Sequence, residues 1–436
     1  MQKLIKYSLK IAKPEFTLNP LFFIPVFILY LLSFILFISC EKQTPTAAPP
    51  ETQINLSHLD HLYGETVMNG DTVGFIVIYA EAPDYEWVVA PGEGLACVDD
   101  VARAAVVYLN DAQQNGTPAS EQKLRRLLKF LIHMQAPNGL FYNFIFDDHS
   151  INTTRENSQP LPNWWAWRSL WALAEAYPFY QKNDPDFAKT LDETIQKMMP
   201  EIDALLENYP QIEMANGFPK PQWIPYGAAD QSSVLLLGLT AYHRTTGDAQ
   251  IAEKMRKIGE GIIKMQLNHE GFFADGALLS WENVWHAWGN SQAHALINAG
   301  MALQDAAMID AGVKEVRLFQ PYLLAQNFIR EIRFTRNGDD ISAEKTVKFE
   351  QIAYDIRPMV MAALAAHQAT GEQQYTDQAA QLMQWFFGKN PAGAVIYDAA
   401  TGRGYDGIND AKTVNRNSGA ESTIESLLAL QALKQH

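Results

Sequence analysis

Acidic side chains recur at one kind of place in this chain, where helices rich in small and apolar residues begin. Asp99 and Asp100 open "GLACVDDVARAA", Asp230 opens "YGAADQSSVLL", Asp355 opens "AYDIRPMVMAA" and Glu421 opens "SGAESTIESLLAL". Each has an ordinary explanation when taken alone. A carboxylate in a first turn is stabilised by the helix dipole by about 0.3–1 kcal/mol. Ser418-x-x-Glu421 also fits a capping box, with Glu421 reaching back to the Ser418 amide. Taken jointly, the acids would gather at one pocket if their helices ran parallel. Two carboxylates, one protonated and one ionised, are what glycosidic cleavage requires. Positive helix ends favour the anion, so the proton donor needs desolvation or a carboxylate neighbour. Glu425, four residues after Glu421, lies on the same helix face and is a candidate for that neighbour.

Other side chains suit a sugar. In "SWENVWHAWGNSQAHAL", Trp285, His286 and Asn290 supply aromatic faces and hydroxyl partners. Trp165 and Arg155 do the same in "TTRENSQPLPNWWAWRSLW", where Trp164, Trp167 and Trp171 share a helix face and read as core. Trp223 and Tyr226 precede Asp230, and Asn417 lies in the loop before Glu421. Arg357 could grip a uronate carboxylate or pair with Asp355 or another nearby acid. His286 or Tyr354 could instead serve as the base of a lyase or epimerase. Glu282-x-x-x-His286 has ligand-like spacing, but no third ligand is identifiable, so no metal or other cofactor is expected. Cys97 reads as a small buried residue. There is no Gly-x-Ser-x-Gly elbow and no Gly-rich phosphate loop after a strand.

The elements that must position these groups are helical. Beyond about residue 55, apolar spacing predicts roughly a dozen helices, among them "VRLFQPYLLAQNFIREI" and a short "LSHLDHLYGETV". They come in pairs. Ser232–Tyr242 and Pro358–His367 are apolar all round and read as buried; Ile251–Gln266 and Gln374–Phe387, which follow them, are amphipathic and read as outer. Two pairs end alike, in "FLIHMQAPNGLFYNF" and "IIKMQLNHEGFFADG". Such repeats bury their faces by stacking, in a solenoid or a closed ring. The long aromatic loops favour the ring, since they would cluster at one mouth. The one expected strand is "VGFIVIYA", at the periphery.

The 436 residues and 47% hydrophobic content are ample for a large core, and the net charge of −15 argues against nucleic acid as a partner. Lys3, Lys6, Lys10 and Lys13 precede an uncharged apolar run, Leu21 to Ser39, and then Cys40. That is the layout of a secretory signal, and "FISC" resembles the lipobox of bacterial lipoproteins, with Cys40 lipidated. An uncleaved anchor is the alternative, because the run is long enough to span a bilayer. Either places the remainder outside the cytoplasm. The expected organisation is a signal over 1–39, a lipidated Cys and Pro-rich tether over 40–55, and one all-α domain over 56–436, a monomer on a membrane anchor.

The paired-helix ring resembles the (α/α)6 barrel of the six-hairpin glycosidase superfamily. "WFFGKNPAGAVIYDAATGRGYDG" followed by "NSGAESTIESLLALQAL" is similar to the end of family 9 glycoside hydrolases, with Gly388, Asn390, Pro391 and Glu421 at the matching positions. The resemblance implies that Glu421 is the general acid and that "CVDDVARAA" carries the water-activating aspartate. In that family two residues separate the paired aspartates, whereas Asp99 and Asp100 are adjacent. Adjacent side chains diverge on a helix, so one of them faces the substrate, and Asp100 is favoured. The family's histidine-rich loop before the glutamate is absent. Related rings include unsaturated uronyl hydrolases, polysaccharide lyases and sugar epimerases, and some sugar transferases carry a similar ring domain. The expectation is therefore a carbohydrate-active protein, with inverting hydrolysis ahead of a non-catalytic glycan-binding lipoprotein and of a lyase or epimerase.

Overall fold

The computed structural model describes residues 53–435. The expected signal, the Cys40 lipidation site and most of the tether lie outside these residues. Among the described residues no helix is long and apolar enough to cross a membrane.

Six helices form an inner ring: Val98–Asn115, Trp164–Asn183, Ala229–Thr246, Gln292–Leu303, Ala353–Thr370 and Ala420–Lys434. Each packs on the next, and the last packs on the first, so the ring closes. Small residues permit the close approach. A Cβ placed on Gly238 would lie 2.8 Å from Leu170 Cγ and 3.0 Å from the Trp171 amide nitrogen. Outside the ring, Pro118–Met134, Pro185–Gln196, Ala249–Lys264, Ala306–Lys314 and Gln373–Met383 each pack back on the inner helix before them. The short Ser57–Leu62 helix covers the last inner helix. In Ala249–Lys264, Ile251, Met255, Ile258 and Ile262 are buried at helical spacing, which is the amphipathic stripe expected of an outer helix. Alternation of inner and outer helices makes the inner six run parallel, with all their N-termini at one mouth.

Two stretches depart from the sequence reading. The expected helix "VRLFQPYLLAQNFIREI" is a π-helical turn, Glu315–Phe319, and a short helix, Gln320–Ala325, followed by a strand, Glu331–Asn337. That strand pairs antiparallel with Asp340–Val347 and, on its other side, with Val284–His286. The two-residue turn is Gly338-Asp339, with Gly338 at φ +64°, the position where a primed hairpin turn calls for glycine. The single expected strand is likewise two, Asp71–Ile76 and Tyr79–Glu81, each in its own hairpin, with partners Tyr63–Met68 and Glu86–Val88. The former lies against the outer helix Pro118–Met134.

Candidate active site

The first turns of the inner helices bring the acids to one mouth. A cleft of about 440 Å³ is lined by Asp99, Trp164, Trp165, Arg168, Trp288, Tyr354, Asp355 and Glu421, with Asn143 and Asn157 at its edge. A second lobe of about 320 Å³ shares Asp99, Asn143, Tyr354 and Glu421 and reaches Tyr79, Asp100 and Arg103. Both acids expected to do chemistry therefore face common space, between aromatic walls that suit the C–H faces of a sugar.

Arg103 organises the floor. Its Nη1 donates to Glu425 at 2.8 Å and to Glu421 at 3.1 Å; its Nη2 donates to Asp100 at 2.6 Å and approaches Asp99 at 3.5 Å. Arg168 pairs with Asp99 and donates to the Tyr354 hydroxyl, and Arg357 pairs with Glu425. The three guanidiniums stand 5.0–5.6 Å from the Tyr354 ring. Four carboxylates thus share three guanidiniums. Glu425 and Asp100 are enclosed, while the Asp99 side chain is 20% exposed and that of Glu421 44%. Burial works to raise the Glu425 pKa, but Arg357 and Arg103 outweigh it and hold the group below the usual carboxylate range. Glu425 is therefore a buried anion at the centre of the ring, held by two guanidiniums. Burial raises the pKa of Asp100 despite Arg103, and that of Asp355 to about 8 despite the Ile352 amide and Arg330.

Local structure explains these positions. Cys97 caps the Val98–Asn115 helix: its Sγ accepts the Asp100 amide at 3.4 Å and donates to Asp100 Oδ2 at 3.2 Å. Asp100 is thereby held in the second lobe with its side chain 5% exposed, and Asp99 is left facing both lobes. Of the adjacent acids Asp99 is the more open and lines both lobes, whereas Asp100, favoured from the sequence, lines the second lobe alone. Glu421 does not form a capping box. The Ala420–Lys434 helix starts at Gly419 without a side-chain cap, Ser418 Oγ donates to the Gly404 carbonyl at 2.8 Å, and the Glu421 carboxylate extends to Arg103. Half of such a box is present at Asp355, whose Oδ2 accepts the Ile352 amide at 2.9 Å, while the Ile352 side chain has no acceptor to complete it.

The remaining candidates divide. Trp165 lines the cleft while its indole donates to the Phe141 carbonyl at 2.7 Å, and Trp164, read as core, lines it too. Asp230 and His286 form a buried pair at 2.9 Å; His286 stacks on Trp288 at 3.8 Å and stays behind it. Trp223 is buried and donates to the Lys257 carbonyl, and Trp285 packs edge-on against Phe319 at 5.0 Å. Asn290 donates to the His286 carbonyl; Asn417 accepts the Ala82 amide, and Arg155 donates to the Gly92 carbonyl. Tyr226 is exposed and lines neither lobe. Arg357 pairs with Glu425 through Nε and lines neither lobe of the mouth. Asn390 closes its own turn through bonds to the Trp385 and Ala394 carbonyls at 2.7 and 2.6 Å, so the Gly-x-Asn-Pro segment is scaffold here. Glu282 bonds Asn216 at 3.0 Å rather than sharing a site with His286, and no group of metal-ligating side chains occurs among the described residues.

Arg103 and Arg168 were not singled out by sequence reasoning. A signal was present: Arg103, Arg168 and Arg357 each lie one turn into an inner helix of otherwise small or apolar residues, and a buried cation requires partners. Arg103 is also three and four residues from the paired aspartates.

No family model and no curated protein matches the sequence. Solved structures do match in shape. A cellobiose 2-epimerase from Bacillus thermoamylovorans B4167 superposes with a TM-score of 0.57 at 11% identity, over 83% of this chain and 92% of the other. A D-mannose isomerase gives 0.57 at 10% identity over the same shares. A family 9 endoglucanase, J30, gives 0.50 at 14% identity over 83% of this chain and 74% of its own. At such identities the likeness concerns architecture: the chain is an (α/α)6 barrel, the fold of the six-hairpin glycosidase superfamily.

Proposed function

We propose that the mouth cleft hydrolyses glycosidic bonds in an oligo- or polysaccharide, with Glu421 donating the proton and Asp99 activating water. One observation carries the reading: Asp99 and Glu421, from the first and last inner helices, face the same two lobes and meet different nitrogens of one guanidinium. We favour an inverting pair, which requires the two carboxylates to stand roughly 6.5–9.5 Å apart; a spacing of ~5 Å would make the enzyme retaining. Glu421 shares Arg103 with two closer carboxylates and is the most open of the four, so it is free to meet a substrate oxygen. Trp164 and Trp288 would stack on the sugar, and Asn143 and Asn157 would bond hydroxyls. With residues 1–40 read as signal and lipidation site, this activity belongs outside the cytoplasm on a membrane anchor.

Epimerisation is the second reading, favoured by the likeness to the epimerase and isomerase structures. No histidine among the described residues lines either lobe, so its base would be Tyr354. Wild type, Glu421→Gln and Asp99→Asn should be compared on a panel of plant and microbial glycans, with the first-formed anomer followed by proton NMR. A loss of about 10²–10⁴-fold in each variant is expected, with inverted product. Equal cleavage by Glu421→Gln would refute the assigned acid. An epimerised sugar with no bond broken would establish the second reading, and binding without any product would leave a glycan-binding protein.

A further inference from the structure

The toroid has a second cavity, behind the ion-pair floor. It occupies about 250 Å³, is lined by all six inner helices, and extends from Arg357 in mid-ring to Arg244 near the C-terminal end of the Ala229–Thr246 helix. The mouth acids do not line it.

Its chemistry is mixed in a particular way. Trp171 lines one wall beside Glu175, whose Oε1 accepts the indole N–H at 3.1 Å. His294 is 9% exposed, and its Nδ1 is buried with no hydrogen-bond partner. Asn298 donates to the His294 carbonyl at 3.0 Å and receives Arg244 on its side-chain oxygen at 2.8 Å. An unpartnered buried nitrogen is destabilising unless something in the cavity meets it. Burial, with Arg357 and Arg244 adding to it, lowers the His294 pKa to about 3, so the ring is neutral. Burial also raises the Glu175 pKa, against its Trp171 bond and Arg244. A small anion would need an uncompensated cation inside. Arg357 is neutralised by Glu425, and Arg244 is exposed at the rim.

We propose that this rear cavity is a binding site for a neutral monosaccharide, with its pyranose ring against Trp171 and its hydroxyls between Glu175, His294 and Asn298. An aromatic wall with interleaved donors and acceptors is what a polyol requires, and an apolar or charged guest would leave these groups unmatched. The site is separate from the mouth and does not depend on the reading of that cleft.

Calorimetric titration with D-glucose, D-galactose and D-mannose tests it, using wild type, Arg244→Gln, His294→Gln and the mouth variant Trp288→Ala. Arg244 is exposed, so its variant is expected to fold; thermal unfolding checks the other two. The expected result is millimolar binding of one of the three hexoses, weakened at least about fivefold by Arg244→Gln and His294→Gln and unchanged by Trp288→Ala. No heat from any of the three would overturn the proposal. So would binding abolished by Trp288→Ala but untouched by Arg244→Gln, which would locate the sugar at the mouth.

Discussion

At the scale of residues, the mouth is a balance of charges that few positions control. Asp355 is the clearest case. Its carboxyl lines the cleft and caps its own helix through the Ile352 amide, yet burial raises its pKa to about 8, with Glu421 adding to the rise and Arg330 opposing it. The linkage has a definite sign. Below an unfolded pKa near 3.9 both states hold the proton and stability is unaffected. Between there and about 8 only the folded state holds it, so stability falls as pH rises, by at most roughly 1.4 kcal/mol per pH unit. Above about 8 the effect is constant. Asp355→Asn keeps the acceptor for Ile352 and removes the titration. The variant should gain on wild type in urea unfolding from pH 5 to pH 8. An equal difference at the two pH values would show that Asp355 does not bind its proton this way.

At the scale of elements, the inner helices are delimited by strong signals. Val98–Asn115, Ala229–Thr246 and Ala353–Thr370 each end at a glycine in the left-handed region, Gly116, Gly247 and Gly371, at φ +63°, +66° and +75°. A Cβ on Gly371 would meet nothing within 4 Å, so the whole effect of Gly371→Ala is backbone strain. A loss of roughly 1–2 kcal/mol is expected by chemical denaturation, with the mouth chemistry unaffected. A loss of activity at full stability would mean that the rear of this helix communicates with the mouth. These caps are legible in the sequence because each depends on one residue type at one position. The Glu331–Asn337 hairpin shows the reverse: the apolar run before its Gly338-Asp339 turn also fits a helix, and pairing with Val284–His286 decided between them.

At the scale of the whole molecule, closure depends on joining the first inner helix to the last. Arg103 does so, reaching from Val98–Asn115 to Glu421 and Glu425 on Ala420–Lys434. Removing one partner of a buried ion network leaves other charges buried and unpaired, at a cost of roughly 3–5 kcal/mol. Arg103→Leu should show that loss. Arg126→Leu, which breaks a partly exposed pair with Glu65 on the outer surface, should lose no more than about 1 kcal/mol. Similar small losses in both variants would mean that apolar packing alone closes the ring.

The amino-acid sequence by itself determined the paired helices, their inner and outer members, and the acids at the inner starts, because these follow from periods and caps within a few residues. Tertiary structure alone decided which acid faces the cleft, that Arg103 joins four carboxylates, that His286 lies behind Trp288, and that a second chamber lies below the floor. Those outcomes depend on how each helix is rotated about its axis and on contacts between residues hundreds of positions apart. Neighbouring side chains on a helix point in different directions, and only packing into the closed ring selects the inward one.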